Sequence, residues 1–422
     1  MQQGLSGLID RRLAALPRPL ALEWPGGQAG RADARLRLKL GDMRQLGALA
    51  GGNFGELADA YVRGDADFEG PVEELMALVG EMAGDPVASR PRGAWHEWLE
   101  HWRSLRLHRP EHDVRQVRFH YDVSDDFYAL WLDPRRVYSC AYFAEPSMTL
   151  AQAQEAKLDL ICRKLQLEPG LRFLDVGAGW GALLLWAAEH YGVQATGITL
   201  SRNQHAHVSR LIEARGLQDR VQVRLLDYRA LDEREPFDRI ASVGMFEHVG
   251  RARLGEYFGK LYRLLAPGGL LMNHGITAPS LHYTEMGGGL GSFIGKYIFP
   301  GGELVHVSQA TALMSDAGLE LLDAENLRPH YARTLWAWSR ALESQLPRAR
   351  ELTSEATVRA YRLYLAGCAL GFERGWVTIY QLLAARPDGR AGEVAGRPLA
   401  GAQSVYPFNR AHMLGATRSS TQ

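Results

Sequence analysis

Two kinds of hydrophobic pattern appear near the start of the chain. Charged and apolar residues alternate over residues 35–40, and this period of two predicts a half-buried strand. Residues 71–79 space their apolar side chains by three or four positions, which predicts a helix. One face of that helix carries Val72, Leu75, Met76 and Val79. The two patterns together indicate a small mixed α/β region over residues 1–88.

From about residue 145, short apolar runs alternate with helical patterns. The runs predict strands at residues 171–176, 194–199, 221–226, 237–244 and 269–274. The helix between the last two has an apolar face formed by Leu254, Tyr257, Phe258, Leu261, Leu264 and Leu265. We expect Pro267 and the two glycines after it to end this helix. The alternation predicts an α/β fold, with an open parallel Rossmann-like sheet and helices on both sides.

Three further segments complete the predicted organisation. Thr149 and Gln152 have the spacing of a capping box and open a helix. The buried stripe of that helix is Leu158, Ile161, Cys162 and Leu165. Residues 352–383 predict a long amphipathic helix, and the tail that follows is rich in Gly, Ala and Arg, which favours poor order. We therefore divide the chain into an N-terminal domain (1–88), a linker helix (89–118), a catalytic domain (119–386) and a tail (387–422).

Composition excludes some classes of function. The 422 residues include 48 basic and 48 acidic side chains, so the net charge of zero gives no argument for binding nucleic acid. The three cysteines are widely spaced and form neither a disulfide framework nor a zinc pattern. The N-terminus lacks the apolar core of a signal peptide, and no apolar run is long enough to span a membrane. These features predict a cytoplasmic protein without a bound metal.

A glycine-rich turn follows the first strand of the catalytic domain. Asp175 ends the strand, and Gly177, Gly179 and Gly181 lead into a helix. Glycines allow a sharp turn and let a nucleotide approach the backbone closely. A dinucleotide site expects an acidic residue about 20 positions later, and this chain has none at that point. The turn therefore favours S-adenosylmethionine, with a purely structural βα turn as the alternative.

Several ordered motifs are more specific than the glycine turn. They are Phe119–Phe127, Tyr138–Phe143, Gly197–Gln204, Gly244–Gly250, Lys296–Pro300, His330–Leu335 and Gly371–Trp376. In sequence and order they resemble the cyclopropane fatty acid synthase family, over roughly residues 50 to 384. Two positions depart from the usual pattern: many bacterial synthases have Gly-Asn where this chain has Ser124-Asp125, and Ala178 stands where the family often has Cys. At the first of these positions the chain resembles the mycolic acid cyclopropane synthases.

The resemblance implies a class I methyltransferase fold with S-adenosylmethionine as the methyl donor. The positions that match the donor site are Tyr138, Ser139, Asp175, Gly177, Gly179, Thr199, Leu200, Gln204, Asp227 and Tyr228. The aromatic ring of Tyr228 is suited to stacking on adenine, although a packing role is nearly as plausible from sequence alone. For Gln204 the alternative is an exposed helix residue.

The resemblance also implies a bound bicarbonate ion as the base. The matching positions are Cys140, Glu247, His274, Ile276 through its backbone, and Tyr331. The strand pattern supports part of this set, because Glu247 follows one predicted strand and His274 ends the next, so both should reach the same edge of the sheet. The alternatives are that Glu247 pairs with Arg251 or Arg253, that His274 is a satisfied core histidine, and that the other side chains are packing residues.

The implied reaction attaches a methylene group to the cis double bond of an acyl chain. The alkene attacks the methyl of the sulfonium, a carbocation forms, and loss of a proton closes a cyclopropane. Aromatic faces suit the cation, and Tyr138, Tyr331 and Phe143 are the candidates. Loss of a different proton would give a methylene branch, and capture of the cation by water or hydride would give a hydroxylated or methyl-branched chain. More distant alternatives are a methyltransferase for a small molecule and an inactive lipid-binding scaffold.

The linker helix suggests how the enzyme reaches a lipid. Trp95, Trp98 and Trp102 are accompanied by five arginines, and this combination suits a phospholipid surface. An interdomain helix with a solvated basic face is an equally good interpretation. The resemblance implies a phospholipid substrate with unsaturated acyl chains and peripheral contact with the inner face of the membrane, with a homodimer as one candidate oligomeric state.

Overall fold

The computed structural model describes most of the chain outside the linker. The described residues are 18–31, 33–83, 125–281, 289–299, 302–394, 397–400, 406–407 and 409–414, with Ile9, Leu13 and Val87. The predicted linker helix and the first six residues of the Phe119–Phe127 motif lie outside them. Contacts group the chain into two units, one from ranges 1–90, 284–300 and 335–376, the other from ranges 91–283, 301–334 and 377–422.

The first unit is built on a four-stranded sheet. Its strands have the order β2-β1-β3-β4 and are β1 (Leu20–Trp24), β2 (Gly27–Gly30), β3 (Leu36–Leu40) and β4 (Ala66–Glu69). The helices of its N-terminal part are α1 (Met43–Gly51), α2 (Phe54–Arg63) and α3 (Val72–Met82). The predicted strand and helix are confirmed as β3 and α3. On α3, Val72 and Met76 are buried, while Leu75 and Val79 are half-buried.

Residues from later in the chain complete the first unit. They form α9 (Leu290–Tyr297), the C-terminal part of α11 (Arg328–Ser344), α12 (Leu346–Leu352) and α13 (Glu355–Arg374). Leu370 and Trp376 join the hydrophobic core of the N-terminal sheet. The first unit is therefore discontinuous in sequence, whereas the predicted domains are contiguous.

The second unit contains a seven-stranded sheet with the order β10-β11-β9-β8-β5-β6-β7. The strands are β5 (Arg172–Val176), β6 (Gln194–Thr199), β7 (Val221–Leu225), β8 (Phe237–Val243), β9 (Leu265–Thr277), β10 (Glu320–Asn326) and β11 (Thr378–Ala385). The strands from β5 to β9 pair in parallel, while β11 runs antiparallel to both of its neighbours. The predicted α/β class is confirmed.

Helices cover both faces of this sheet. They are α4 (Asp125–Ala129), α5 (Leu150–Lys164), α6 (Ala182–Tyr191), α7 (Arg202–Ala214), α8 (Leu254–Leu264), α10 (Val307–Asp316) and the N-terminal part of α11. One core cluster includes Leu158 of α5 and Leu184 of α6, and another includes Phe258 of α8 and Met314 of α10. The chain runs from β5 to β6 on one side and reaches β8 on the other, so the strand order reverses at β5. A ligand crevice is expected at that point, beyond the carboxyl ends of the strands.

The apolar patterns around α5 and α8 are confirmed in detail. Thr149 and Gln152 form the predicted capping box, and all four residues of the predicted stripe on α5 are buried. All six residues of the predicted face of α8 are buried too. However, β9 begins directly at Leu265 and includes Pro267, with a register shift in its pairing to β8. The predicted strand at 269–274 is thus the central part of a longer one.

The predicted helix over residues 352–383 is wrong at both ends. The structure has α12 ending at Leu352, then α13, and then strand β11. Gly375 adopts a left-handed conformation with φ of 74°, and this conformation ends α13. The residues after it, Val377 to Tyr380, are β-branched or aromatic and favour a strand.

Part of the predicted tail is structured. It contains the antiparallel strands β12 (Arg390–Val394) and β13 (Arg397–Ala400) and a short helix, α14 (Ala411–Leu414). Met413 joins the core cluster on the α5 side of the large sheet. No helix in the described part of the chain is both long and apolar enough to cross a membrane.

Candidate active site

A cleft opens beyond the carboxyl ends of β5, β6 and β8. Its volume is about 180 Å³. The residues that line it include all ten predicted donor-site positions: Tyr138, Ser139, Asp175, Gly177, Gly179, Thr199, Leu200, Gln204, Asp227 and Tyr228. The sequence motifs therefore converge on one cavity, at the place where the strand order reverses.

The glycine turn forms one wall of this cleft. Gly177 and Gly179 have φ values of 83° and 55°, conformations that favour glycine. The Gly177 N–H donates to the Ile198 carbonyl at the end of β6 (3.1 Å), which fixes the turn against the next strand. A Cβ on Gly177 would lie 3.3 Å from the Met245 side chain, which also lines the cleft. The turn thus provides a surface that a ligand can approach closely.

Asp175 lies in the buried floor of the cleft. Only 2% of the residue is exposed, and burial raises the pKa of its carboxyl group to about 7, although the nearby Lys157 acts in the opposite direction. Such a carboxyl group gains from a positively charged ligand, because a cation restores the stability of its ionised form. The α-amino group of S-adenosylmethionine fits that requirement.

Thr199 and Gln204 are joined in a small network at the start of α7. The Thr199 hydroxyl donates to Gln204 Oε1 (2.7 Å), and Ser201 Oγ caps the Gln204 N–H (3.3 Å). Gln204 is 3% exposed, so the alternative of an exposed helix residue is wrong. With its Oε1 already occupied, Gln204 has its amide N–H groups available to the cleft.

Asp227 and Tyr228 lie at the far side of the cleft with their own partners. Asp227 accepts two hydrogen bonds from the guanidinium of Arg229, at 2.9 and 2.6 Å. Tyr228 packs edge-on against Tyr257, with ring centroids 5.1 Å apart. Both residues line the cavity, yet each also has a structural role.

Lys157 is a cleft residue that the sequence patterns did not single out. It is 2% exposed, lines the cleft and donates to the Ser139 hydroxyl (3.0 Å). Burial lowers the pKa of its amino group to about 8. One turn earlier, Gln154 donates to the Ser139 carbonyl (2.9 Å). Their spacing in the sequence could have identified them. Gln154 and Lys157 fall on the buried stripe of α5, where polar residues need a specific partner.

A second group of polar residues is centred on Glu247, in the turn after β8. Glu247 Oε1 accepts the backbone N–H of Ile276 (2.6 Å). Its other oxygen is buried and has no hydrogen-bond partner among the described residues. Burial raises the pKa of this carboxyl group to about 7. Arg253 pairs with Glu256, and Arg251 makes no ion pair with Glu247 in the described structure, so the predicted alternative is wrong.

His274 lies on β9, two residues before Ile276. It is 1% exposed, and its Nδ1 lies 3.1 Å from Gln381 Nε2 on β11. With the amide nitrogen of Gln381 as donor, Nδ1 accepts and Nε2 carries the proton. Nε2 has no partner within the described part of the chain. Burial keeps the pKa of the imidazole well below its usual value, so His274 is neutral, and only one of its two ring nitrogens has a partner among the described residues.

Cys140 and Tyr331 meet through one backbone carbonyl. The Leu327 carbonyl accepts the Tyr331 N–H (3.0 Å) and lies 3.8 Å from Cys140 Sγ. The Leu327 N–H donates to the carbonyl of Ile379, a residue that pairs with Ile276 in the sheet. Cys140 is fully buried, and burial raises the pKa of its thiol. Hydrogen bonds and strand pairing thus connect the five predicted base-site residues, although they are far apart in sequence.

The three aromatic candidates for cation stabilisation have different surroundings. Tyr138 lies in an aromatic cluster with Tyr128 and Trp131, at centroid distances of 5.6 and 5.3 Å. Phe143 already has the guanidinium of Arg333 over its ring, 4.0 Å from the centroid. A face that holds one cation is poorly placed for a second, so Tyr138 and Tyr331 are the better candidates.

The chemistry of both groups fits the molecules that the sequence implies. The cleft has a glycine surface and a buried acid for a donor with an amino acid end. The base group consists of Cys140, Glu247, His274, Ile276 and Tyr331. It has an unpaired carboxyl oxygen at Glu247 and an unpaired ring nitrogen at His274, both buried. Unpaired polar atoms are costly in a protein interior, and a small oxygen-rich anion could satisfy them.

Comparisons with known proteins agree with this geometry. Residues 108–382 match the family described as mycolic acid cyclopropane synthetase. The chain is 43% identical over 377 residues to a probable fatty acid methyltransferase of Pseudomonas putida, covering 89% of this chain and 94% of that protein. It is 42% identical over 276 residues to cyclopropane mycolic acid synthase 1 of Mycobacterium tuberculosis, covering 63% of this chain and 94% of that protein.

A solved structure extends the similarity to the fold. The mycolic acid cyclopropane synthase CmaA1, complexed with SAH and CTAB, superposes with a TM-score of 0.61 at 40% identity. That match covers 64% of this chain and 98% of the other. The resemblance inferred from the ordered motifs is confirmed. The chain belongs to the mycolic acid cyclopropane synthetase family and is an S-adenosylmethionine-dependent methyltransferase.

Proposed function

We propose that this enzyme transfers a methylene group from S-adenosylmethionine to the cis double bond of an unsaturated fatty acyl chain in a phospholipid, forming a cyclopropane. The observation that carries the proposal is the pair of unpaired, buried polar atoms at Glu247 and His274. Methyl transfer to an alkene leaves a carbocation that must lose a proton, and these two buried groups are suited to hold the base that accepts it. The named relatives, a fatty acid methyltransferase and a cyclopropane mycolic acid synthase, support a lipid substrate.

The donor cleft orients the methyl group. S-adenosylmethionine supplies an electrophilic methyl on a sulfonium. Asp175 would bind its α-amino group, Gln204 would donate to its polar oxygens, and Tyr228 would contact its adenine. Lys157 holds Ser139 in place, and α5 thereby fixes the segment that leads to Cys140. Fixed placement of the donor matters because an isolated alkene is a poor nucleophile and requires close alignment.

The base group would receive the proton that leaves the new methyl. Bicarbonate, where bound, supplies the basic oxygen. Neutral His274 would donate from Nε2, protonated Glu247 from Oε2, and the backbone and side chains around Cys140, Ile276 and Tyr331 would complete the enclosure. Glu247, with a pKa of about 7, can also accept a proton near neutral pH. The aromatic faces of Tyr138 and Tyr331 would stabilise the carbocation while it lasts.

An alternative outcome uses the same site. If a hydride shift first moves the cation to the methylated carbon, loss of a proton from the methyl gives a methylene-branched chain, and reduction of that branch by a separate hydride donor gives a methyl branch. The name of the Pseudomonas putida relative, probable fatty acid methyltransferase, supports this alternative. We retain phospholipid as the substrate, peripheral membrane contact and a homodimer as proposals that follow from the family resemblance.

The test is an analysis of membrane fatty acids from a host that expresses the chain, by gas chromatography with mass spectrometry. We expect unsaturated chains to gain one CH₂ as a ring, and Glu247→Gln to abolish that gain. Glu256→Gln is the matched control, because Glu256 is exposed and its partner in the described structure is the half-buried Arg253. Binding of S-adenosylhomocysteine by each purified variant, measured by calorimetry, separates loss of chemistry from loss of the donor site.

The other outcomes discriminate between the alternatives. A methylene or methyl branch at the former double bond would support lipid alkylation but replace cyclopropane formation. Unchanged lipids from a protein that still binds S-adenosylhomocysteine would overturn the lipid proposal in favour of a small-molecule substrate.

A further inference from the structure

Arg136 stands at the donor cleft on an unusual backbone. Its φ of 54° lies in the left-handed region, which among the described non-glycine residues is shared only by Gln166. The conformation is fixed by Asp133, which is 5% exposed. The Asp133 carbonyl accepts the Arg136 N–H (2.8 Å), and its carboxylate accepts the N–H groups of Arg135 and Val137 (both 2.9 Å). A buried turn thus holds the residue from both sides.

The turn directs the Arg136 side chain to the glycine wall of the cleft. Arg136 is half-buried and lines the cavity, with its guanidinium 5.3 Å from the centroid of the Trp180 ring. Trp180 lies within the glycine turn, between Gly179 and Gly181. Trp180 also contacts His207 edge-on, with ring centroids 5.3 Å apart. Burial is the main cause that lowers the pKa of His207, and the positive charge of Arg136 lowers it further.

Among the described residues, Arg136 has no counter-ion. Two other lysine or arginine side chains line the cleft, and both have polar partners: Lys157 donates to Ser139, and Arg229 pairs with Asp227. Arg136 makes no side-chain hydrogen bond or ion pair with any described residue. A guanidinium held on a strained backbone at a ligand cleft, without an anion, indicates that the anion belongs to the ligand.

S-adenosylmethionine carries one such anion, its α-carboxylate. We propose that Arg136 binds the α-carboxylate of the methyl donor, with Trp180 orienting the guanidinium by stacking. Arginine suits this role, since its planar fork of N–H groups matches the two oxygens of a carboxylate. Asp175 would then bind the α-amino group, so that the two charges of the amino acid end have separate partners. The inference rests on the donor cleft alone and is independent of the lipid substrate.

The neighbouring residue provides a matched control. Arg135 belongs to the same turn and also has its guanidinium over a tryptophan, 4.9 Å from the Trp186 ring centroid. However, Arg135 pairs with Glu155 (2.9 Å) and does not line the cleft. Replacing Arg135 therefore reproduces the loss of a cation from the turn without removing the proposed contact.

The test compares two ligands by calorimetry: S-adenosylhomocysteine and its decarboxylated analogue, which keeps the adenosine, the sulfur and the amine. The wild type should prefer the carboxylated ligand. Arg136→Gln should weaken S-adenosylhomocysteine by about 10- to 100-fold, the range for a charged hydrogen bond, and leave the analogue unchanged within about twofold. Arg136→Lys should recover part of the loss, and Arg135→Gln should behave as the wild type.

Three results would overturn the proposal. Equal weakening of both ligands by Arg136→Gln would mean general damage to the cleft. An unchanged affinity for S-adenosylhomocysteine would mean that Arg136 makes no contact with it. Retention of the preference in Arg136→Gln together with its loss in Lys157→Met would assign the carboxylate to Lys157 instead.

Discussion

The donor cleft and the base group are adjacent in the second unit, but they are assembled in different ways. Most of the cleft comes from the carboxyl ends of β5 and β6 and from the segments that follow β5, β6 and β7. Several of its residues bond to one another, as Thr199 does to Gln204. The base group draws on segments around residues 140, 247, 274 and 331, which only the sheet topology brings together. The cleft is a local feature of the chain, whereas the base group is a product of the whole fold.

At one edge of the cleft the polar atoms are better satisfied than in the base group. Thr199, Ser201 and Gln204 form a closed network at the edge of the cleft. In the base group, Glu247 and His274 each keep one buried atom without a partner in the described structure. Substitutions should therefore separate the two regions, and we expect binding of the donor and chemistry on the lipid to fail independently.

The largest effect should come from Gly275→Ala, which targets the base group. A Cβ there would lie 2.0 Å from the buried Phe246 ring and 3.1 Å from Glu247 Oε1. The turn that carries Glu247 must move, and displacement of a catalytic group by about 1 Å can cost 10²-fold in rate. We expect lipid modification to fall by at least about 10²-fold. Calorimetry should show affinity for S-adenosylhomocysteine within about threefold of wild type, since the glycine turn is untouched.

Gly177→Ala is the matched change in the donor cleft. The alanine would have to adopt φ of 83° and press on Met245. We expect affinity for S-adenosylhomocysteine to fall at least about tenfold, given a strain of about 1–2 kcal/mol for such a backbone. Saturating donor should restore part of the lipid modification. If Gly275→Ala abolished donor binding as well, the two regions would form a single unit and the comparison would fail.

Sequence alone was sufficient where structure is local. The glycine turn, the capping box at Thr149 and the apolar faces of α5 and α8 depend on residues within one or two turns of each other. The positions of Glu247 and His274 followed from the order of strands, because β8 and β9 were expected to be neighbours and Val243 does stand opposite His274. The base residues Cys140 and Tyr331 came only from the family resemblance.

Other features depended on contacts that no local pattern contains. Gln381 supports His274, but it lies on β11, which the helical pattern over 352–383 concealed. Lys157 occupies an apolar stripe, and its role depends on Ser139 and Asp175, which are distant in sequence. Arg136 gains its position from a buried aspartate turn and from Trp180. In each case tertiary partners decide the role of a residue whose local surroundings predict something ordinary.

The next prediction uses the buried acids, one in each region. Burial raises the pKa of Glu247 from 4.5 to about 7, and that of Asp175 from 3.8 to about 7. At pH values between the ordinary pKa and the raised pKa of each acid, the folded state binds more protons than the unfolded state, so its stability falls as pH rises. Above pH 7 ionisation should lower the free energy of unfolding by about 3 kcal/mol for Glu247 and by about 4 kcal/mol for Asp175.

Non-titrating variants should remove this loss. Relative to wild type, Glu247→Gln should gain up to about 3 kcal/mol of stability between pH 4.5 and pH 8, and Asp175→Asn up to about 4 kcal/mol. Urea unfolding at several pH values measures the change. Adding S-adenosylhomocysteine distinguishes the regions, because a bound ligand amine should ionise Asp175 and reduce the gain for Asp175→Asn only. A gain that is independent of pH for Glu247→Gln would contradict a raised pKa at that residue.

The smallest effect is expected at Arg229, because its charge is already paired with Asp227 in the cleft. Its guanidinium holds both oxygens of Asp227 and is about one-third exposed, at 30%. Partly exposed ion pairs contribute about 0.2–1 kcal/mol, so Arg229→Gln should change affinity for S-adenosylhomocysteine by no more than about fivefold. The direction is informative: a carboxylate released from Arg229 can accept a hydrogen bond from the ligand, which would strengthen binding, whereas a loss of order in Asp227 would weaken it. Asp227→Asn, measured beside it, separates these effects, because the amide keeps the shape and removes the charge. A change above about tenfold in Arg229→Gln would show that the closed ion pair, and not the open glycine wall, controls the donor cleft.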